Sequence, residues 1–257
     1  MAQLQALLFD LDGTLADTEE DGHRPAFNAA FQAAGLDWHW DQELYRDLLQ
    51  VTGGRERIHH YIRHYQPRLP ARIDLDDWVA ELHQHKTRWY QNWLDTGAIP
   101  LRPGVARLLR EASAAGLALG IATTTSLANV APLLGRTLGT DPGRLFQTIA
   151  AGDLVERKKP APDLYLLALN DLGLTADQVW VVEDSSVGVG AAWDAGIRSI
   201  LVTPSPYTQG QDFSLARLVV DSLGEPGHPS RSLAGPPLEQ DWVDLALLRR
   251  LHEERGP

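Results

Sequence analysis

The sequence predicts an α/β fold: a doubly wound, Rossmann-like parallel sheet core with an inserted α-helical cap domain. Three features predict it, namely short apolar runs that end in polar residues, stretches with helical spacing between those runs, and one long segment with helical spacing only. Short apolar runs are typical of strands buried on both faces. Their alternation with helices favours a parallel sheet covered on both sides.

The core is predicted from its strands. The predicted strands are residues 6–9, 117–122, 179–182 and 200–202. Residues 1–16 and 101–222 therefore form the predicted core.

A helical cap is predicted over residues 17–100, where the apolar residues follow helical spacing and no strand pattern interrupts them. Phe27 and Phe31 lie on one face of a helix that ends at Gly35. Core packing is the expected role of most tryptophans in this segment, which are Trp38, Trp40, Trp78, Trp89 and Trp93.

The last segment, residues 223–257, has a different composition. Residues 224–237 are rich in Gly, Pro and Ser and predict a surface loop, and residues 241–254 predict a final amphipathic helix. The apolar face of that helix fits either the core or a partner chain.

Composition excludes several classes of protein. The 257 residues carry a formal net charge of -11, which disfavours nucleic acid as a partner, and the absence of cysteine excludes disulfides and thiolate catalysis. The N-terminal apolar run ends at Asp10, too early for a signal peptide or a membrane anchor. We therefore expect a soluble cytoplasmic protein, a monomer without a membrane partner.

The strongest chemical signal follows the first predicted strand, where Asp10 and Asp12 precede Gly13 and Thr14. Ligands bind at the carboxyl ends of the strands in a doubly wound sheet. Two carboxylates this close repel each other, so a cation or a shared proton is expected between them. A hard cation with oxygen ligands fits best, which favours Mg²⁺. The alternative is an acidic turn after an edge strand.

Further polar residues follow the other predicted strands. Glu183 and Asp184 bring carboxylates to the same edge, Thr123 ends the run 117–122, and Lys159 precedes a proline-started helix. Alone, Thr123 would be interpreted as a helix cap and Lys159 as a solvated lysine. The glycines at 188 and 190 do not predict a dinucleotide site, because Trp193 stands where a third glycine is needed.

These signals, taken in order, resemble the four motifs of the haloacid dehalogenase superfamily of phosphatases. The resemblance implies that Asp10 is the nucleophile on phosphorus and that Asp12 is general acid and then general base. It also implies that Thr123 and Lys159 hold the phosphoryl group. Mg²⁺ would be held by Asp10, the backbone carbonyl of Asp12 and Asp184, with Glu183 binding directly or through water.

A narrower resemblance is to the CbbY-type sugar bisphosphatases, which hydrolyse the Rubisco inhibitor xylulose-1,5-bisphosphate. It rests on the runs DGTLADTEEDGHRPAFNAAF, WHWD, VTGGRERI, ATTTSLANV and AAGDLVERKKPAPDLY, and it fades beyond Val220. A sugar bisphosphate is therefore the expected small-molecule partner.

A bisphosphate needs a second anion site, and the cap offers candidates for it. Gly53 and Gly54 allow close approach of a loop, and arginines suit phosphate. The predicted substrate-binding residues are Glu19, His23, Gly53, Gly54, Arg55, Arg57, Lys86, Thr124 and Thr125. The cap histidines His59, His60, His64, His83 and His85 are interpreted as solvated rather than as a metal cluster.

Three alternatives share parts of this pattern. A sugar phosphomutase would use the same aspartyl phosphate but shield it from water, and a phosphoglycolate phosphatase would differ in substrate. A receiver-like signalling module also has an acidic pocket on a doubly wound sheet, but neither the D-x-D-G-T spacing nor a long cap insert has a purpose in it.

Overall fold

A computed structural model describes residues 2–51, 53–71, 74–96, 99–138 and 141–254, without the side chains of residues 136 and 137. The chain forms two compact units: Met1–Asp17 with Pro100–Pro257, here the α/β unit, and Thr18–Ile99, the helical unit. Within the described ranges, no helix is long and apolar enough to cross a bilayer.

The α/β unit contains a seven-stranded sheet in the order β3-β2-β1-β4-β5-β6-β7. The strands are β1 Ala6–Phe9, β2 Ala118–Ala122, β3 Thr148–Ala150, β4 Val179–Glu183, β5 Ile200–Val202, β6 Leu218–Val220 and β7 Ser232–Ala234. Pairing is parallel from β3 to β6, and only β7 runs antiparallel, against β6. The predicted doubly wound parallel fold is confirmed.

The described residues of the helical unit form a π-helical turn at Thr18–His23 and four α-helices. The helices are α1 Arg24–Ala33, α2 Gln42–Leu48, α3 Gly54–Tyr65 and α4 Leu75–Thr96. Trp38 and Trp40 are buried among the α1 phenylalanines, as expected. Trp89 is an exception at 39% exposed, because α4 turns Val79, Leu82 and Lys86 inward instead.

The described part of the α/β unit contains six further α-helices and a 3-10 turn at Ala176–Gln178. The helices are α5 Val105–Ala114, α6 Leu127–Leu138, α7 Pro142–Leu145, α8 Asp163–Leu172, α9 Ser186–Asp194 and α10 Leu245–Glu253. Side chains alternate across a strand, so β1 turns Ala6 and Leu8 to the core shared with α8 and α9 and turns Leu7 and Phe9 to the opposite face. Burial of all four side chains holds the sheet between layers of helix.

The C-terminal segment packs on the α/β unit. Helix α10 contacts α5, and the Arg107 side chain of α5 donates hydrogen bonds to the carbonyls of Leu223 and Val243 at 3.0 and 2.8 Å.

The prediction that residues 224–237 form only a loop is wrong, because strand β7 lies within this range. That strand is three residues long and has no alternating pattern, so pairing with β6 rather than local propensity forms it.

Candidate active site

The candidate site lies at the carboxyl edge of the sheet, where three neighbouring strands end. Asp10 follows β1, Thr123 follows β2, and Glu183 is the last residue of β4 with Asp184 directly after it. Since β1 lies between β2 and β4, the parallel topology brings these side chains together. All four are buried.

Lys159 joins two of the carboxylates. Its Nζ lies 2.7 Å from Asp10 Oδ1 and 2.6 Å from Glu183 Oε1, and it donates a third hydrogen bond to the Ala122 carbonyl at 2.8 Å. Burial by itself would lower the pKa of Lys159, but the charges of Asp10 and Glu183 outweigh burial and raise it. The ammonium is therefore a permanent cation here.

Negative charge exceeds positive charge in this cluster. Oxygens of Asp10, Glu183 and Asp184 all lie within 4.8 Å of one another, an arrangement that can hold a metal ion. Burial and Glu183 raise the pKa of Asp184 to about 7, and burial, against the attraction of Lys159, raises that of Asp10. One lysine does not neutralise three buried carboxylates, so the donor set fits a hard divalent cation.

Gly13 lies where the backbone conformation and the close approach of Asp184 both favour glycine. Its φ is +88°, and a Cβ at this position would lie 2.3 Å from Asp184 Oδ2. The loop after β1 can pass this close to the β4 carboxylate only because residue 13 has no side chain.

Asp12 is held by the threonine-rich stretch. Thr125 Oγ1 donates to Asp12 Oδ2 at 2.5 Å, and the Thr125 N–H donates to Thr123 Oγ1 at 3.1 Å. The structure therefore brings Asp12, Thr123 and Thr125 together, whereas Thr124 is exposed.

Glu183 accepts hydrogen bonds on both carboxylate oxygens. Oε1 accepts from the Tyr165 hydroxyl at 2.5 Å in addition to Lys159. Oε2 accepts from the Asp184 N–H at 3.2 Å and from Ser185 Oγ at 3.3 Å. These donors hold Glu183 as the anchor of Lys159.

Sequence reasoning missed two residues of this site, Tyr165 and Arg102. Arg102 links the loop after β1 to the loop after β5. Its guanidinium donates hydrogen bonds to the carbonyl of Gly13 and to the carbonyls of Thr203 and Pro204, the last two at 2.7 and 2.9 Å. It also pairs with Asp17 at 3.3 Å. In the sequence, Arg102 stands beside a proline at the start of the core segment 101–222, a pattern that does not indicate a site residue.

The helical unit holds a second polar cluster. Tyr45 donates its hydroxyl hydrogen to Glu19 Oε2 at 2.6 Å and accepts from Arg57 at 2.8 Å. Lys86 Nζ lies 2.7 Å from His23 Nδ1, and burial lowers its pKa to about 8 against the attraction of Glu19. Tyr45 was not predicted, because an aromatic residue in a helical pattern indicates core.

Phe27 joins the two halves of this cluster, since the Arg57 guanidinium carbon and Lys86 Nζ lie 5.9 and 4.9 Å from its ring centroid. The structure thus brings together Glu19, His23, Arg57 and Lys86, and leaves Arg55 exposed. Cations over an aromatic face are stabilised there without being neutralised.

The two predicted glycines stand at the start of α3. Gly53 has φ +93°, which favours glycine, and a Cβ at Gly54 would lie 2.4 Å from His83 Nε2, so a side chain there would displace the imidazole. Within the ranges described, no group of three metal-ligating side chains includes a histidine. His60 and His64 instead stack at 4.1 Å.

Comparison with known proteins yields a consistent set of relatives. A profile of the haloacid dehalogenase-like hydrolases matches residues 7–202. The plasmid protein CbbY of Cupriavidus necator is 46% identical over 249 residues, which is 97% of each chain. A crystal structure of CbbY from Rhodobacter sphaeroides with phosphate has a TM-score of 0.70 and 45% identity, over 87% of this chain and 96% of that one. The same values hold for an Asp-to-Asn variant of that protein in complex with xylulose-(1,5)bisphosphate.

Proposed function

We propose that this chain, which belongs to the haloacid dehalogenase-like hydrolases and is a phosphatase of the CbbY type, hydrolyses xylulose-1,5-bisphosphate through an aspartyl phosphate with Mg²⁺ as cofactor. One observation carries the proposal: Asp10 is buried against Lys159 at the sheet edge, in a chain similar to a protein crystallised with that bisphosphate.

Asp10, Asp184 and the backbone carbonyl of Asp12 would hold the metal ion. The bound cation would neutralise charge on the transferring phosphoryl group. Support comes from the surplus of buried carboxylates and from Gly13, which brings the β1 loop against Asp184.

Asp10 attacks phosphorus, so that a bond between its carboxylate oxygen and phosphorus forms while the bond to the ester oxygen breaks. Asp12, oriented by Thr125, gives a proton to the departing sugar oxygen. Water then attacks the aspartyl phosphate and gives its proton to Asp12, which releases phosphate and restores Asp10. Dividing the reaction in this way replaces one difficult step with two easier ones.

Lys159 and Thr123 hold the transferring group. The Lys159 ammonium keeps its charge at all physiological pH values and is fixed by three acceptors, so it offers a preorganised positive field to the phosphoryl oxygens. Phosphoryl transfer depends mainly on such positioning and charge neutralisation.

The helical unit selects the substrate in this proposal. Arg57 and Lys86 supply the cations for the second phosphate, and Glu19 accepts a hydrogen bond from a sugar hydroxyl. Two buried cations close to one carboxylate leave the cluster with positive charge to offer an anion.

The test is a phosphate-release screen over xylulose-1,5-bisphosphate, pentulose and hexose monophosphates and phosphoglycolate, with and without Mg²⁺. Hydrolysis of the bisphosphate with the highest kcat/KM, dependent on Mg²⁺, is the expected result. A preference for phosphoglycolate, or sugar isomerisation without phosphate release, would reject the assignment.

The nucleophile is tested separately. Asp10→Asn keeps the shape of the side chain but removes its charge, so turnover should fall by at least about 10⁴-fold while the circular dichroism spectrum is unchanged. Turnover within tenfold of wild type would exclude covalent catalysis by Asp10.

A further inference from the structure

We propose that Tyr165 is a positioning residue for phosphoryl transfer, whose hydroxyl fixes Glu183 so that Glu183 in turn fixes the Lys159 ammonium against Asp10. The inference rests on the proposed roles of Asp10 and Lys159 and extends them to a residue outside the four motifs.

The hydroxyl and the ammonium share one acceptor. Tyr165 Oη and Lys159 Nζ lie 2.5 and 2.6 Å from the same oxygen, Glu183 Oε1, and Nζ lies 5.0 Å from the centroid of the Tyr165 ring. Tyr165 is fully buried on α8, and Glu183 is fully buried at the end of β4. The Glu183 carboxylate therefore links helix α8, through Tyr165, to the end of strand β4.

The position of Lys159 depends on that carboxylate. An ammonium has three hydrogens, and here they go to Asp10 Oδ1, Glu183 Oε1 and the Ala122 carbonyl. A displaced Oε1 would move the ammonium away from Asp10. Without the Tyr165 hydroxyl, Oε1 keeps only Lys159 as a donor. Oε2 keeps its longer hydrogen bonds from the Asp184 N–H and Ser185 Oγ, at 3.2 and 3.3 Å, which hold the carboxylate less firmly. Groups that orient a functional side chain in this way typically change activity by about 10- to 100-fold when removed.

The competing explanation is that a buried tyrosine hydroxyl simply needs an acceptor. The two explanations differ in what Tyr165→Phe changes, since this substitution keeps the ring and removes only the hydroxyl. Positioning predicts a loss of turnover, whereas simple pairing predicts a loss of stability without a loss of turnover.

Thr148→Val is the matched control. Thr148 is a buried β3 residue whose hydroxyl donates to the Asp171 carboxylate of α8 at 2.7 Å. The control thus also removes a buried hydroxyl that is bonded to a carboxylate in the same unit, but outside the site. It should leave kcat unchanged.

The assay uses p-nitrophenyl phosphate with Mg²⁺, so the outcome does not depend on the native sugar substrate. For Tyr165→Phe we expect kcat to fall by about 10-fold with KM within twofold, and the inhibition constant of orthovanadate, which mimics the five-coordinate phosphoryl group, to rise by about the same factor. Wild-type values of kcat and of the vanadate constant would overturn the proposal.

A double-mutant cycle tests the route through Glu183. Adding Tyr165→Phe to Glu183→Gln should lower kcat by less than a further twofold, because the hydroxyl acts only through that carboxylate. Additive losses would overturn the proposal.

If Tyr165→Phe does not fold, the kcat of Glu183→Gln tests the proposal by itself. An unchanged kcat would show that Glu183 does not position Lys159 and would overturn it. Asp10→Asn is assayed in parallel, and its retained activity would instead reject the proposed function.

Discussion

Two buried lysines, one in each unit, have pKa values shifted in opposite directions. Lys159 of the α/β unit lies within hydrogen-bonding distance of two carboxylates, and their charges raise its pKa above 10.5 despite burial. For Lys86 of the helical unit, burial outweighs the attraction of Glu19 and lowers the pKa to about 8. Side-chain burial is similar, so the neighbours decide the sign.

This difference in local charge supports the proposed roles of the two clusters, which are catalysis in the α/β unit and recognition of an anion in the helical unit. The α/β unit surrounds its lysine with more negative charge than the lysine can neutralise, so it attracts a cation. The helical unit buries Arg57 and Lys86 near one carboxylate, so it has positive charge left for an anion. A net charge of -11 is therefore compatible with an anionic substrate, because each unit sets its own local potential.

Removing Lys159 should give the largest effect. Lys159→Met leaves three buried carboxylates without their cation, so we expect kcat to fall by about 10³-fold and the free energy of unfolding to fall by about 3–5 kcal/mol. Phosphate release and urea denaturation measure the two effects. Lys158→Met is the matched control, since its side chain is the exposed neighbour, and equal losses in both variants would contradict the comparison.

Metal binding should depend on the α/β cluster. Mg²⁺ at about 100 times its dissociation constant should stabilise the wild-type protein by about 2.7 kcal/mol. Asp184→Asn should abolish this gain, whereas Asp212→Asn, at an exposed carboxylate, should keep it. Thermal unfolding with Mg²⁺ and with EDTA measures the difference. Undiminished stabilisation of Asp184→Asn would place the ion elsewhere.

The helical unit should respond through substrate binding. Arg57→Ala should raise KM for the bisphosphate by about 10- to 100-fold, the value of one charge-assisted hydrogen bond, and KM for a small monophosphate by less than threefold. Because Arg57 also donates to Tyr45 and to the Leu48 carbonyl, some stability is lost as well. Steady-state kinetics with both substrates measures the effect, and Arg55→Ala is the exposed comparison. Equal changes for both substrates would contradict the assignment.

The smallest effect should appear as a pH dependence of KM. Lys86 loses its charge as the pH rises through about 8, so KM for the sugar phosphate should rise there by a few-fold, and Lys86→Met should remove that inflection. A Lys86→Met profile identical to wild type would assign the inflection to another group.

Stability gives an independent measurement of the same lysine. Between about pH 8 and 10.5 the unfolded chain holds a proton that the native Lys86 has released, so the free energy of unfolding should increase with pH across this window. Lys86→Met should remove that increase and should stabilise the protein at pH 7 by roughly 3 kcal/mol. Lys158→Met should change neither quantity.

Some features of this protein could be read from local pattern. The acidic residues of the site follow apolar runs; they are Asp10, Asp12, Glu183 and Asp184. A parallel sheet brings the carboxyl ends of its strands to one edge, and this does not depend on the conformation of the loops. Tyr165 and Tyr45 escaped prediction because a tyrosine on a helix has an apolar ring that fits any core, and only its neighbours reveal the role of its hydroxyl. The exposure of Trp89 was not predictable, because helical spacing alone does not distinguish neighbouring faces of a helix, and α4 buries Lys86 rather than Trp89.

The sequence by itself determined the fold class, with a helical insert after the first strand, and the residue types that follow the predicted strands at the sheet edge. These follow from periodicity and strand ends, which are local properties of the chain. Only the tertiary structure decided that Glu183 anchors Lys159, that Arg102 ties the loops after β1 and β5, and that the two buried lysines differ in pKa. Those outcomes depend on burial and on charges from residues distant in sequence, which no local pattern contains.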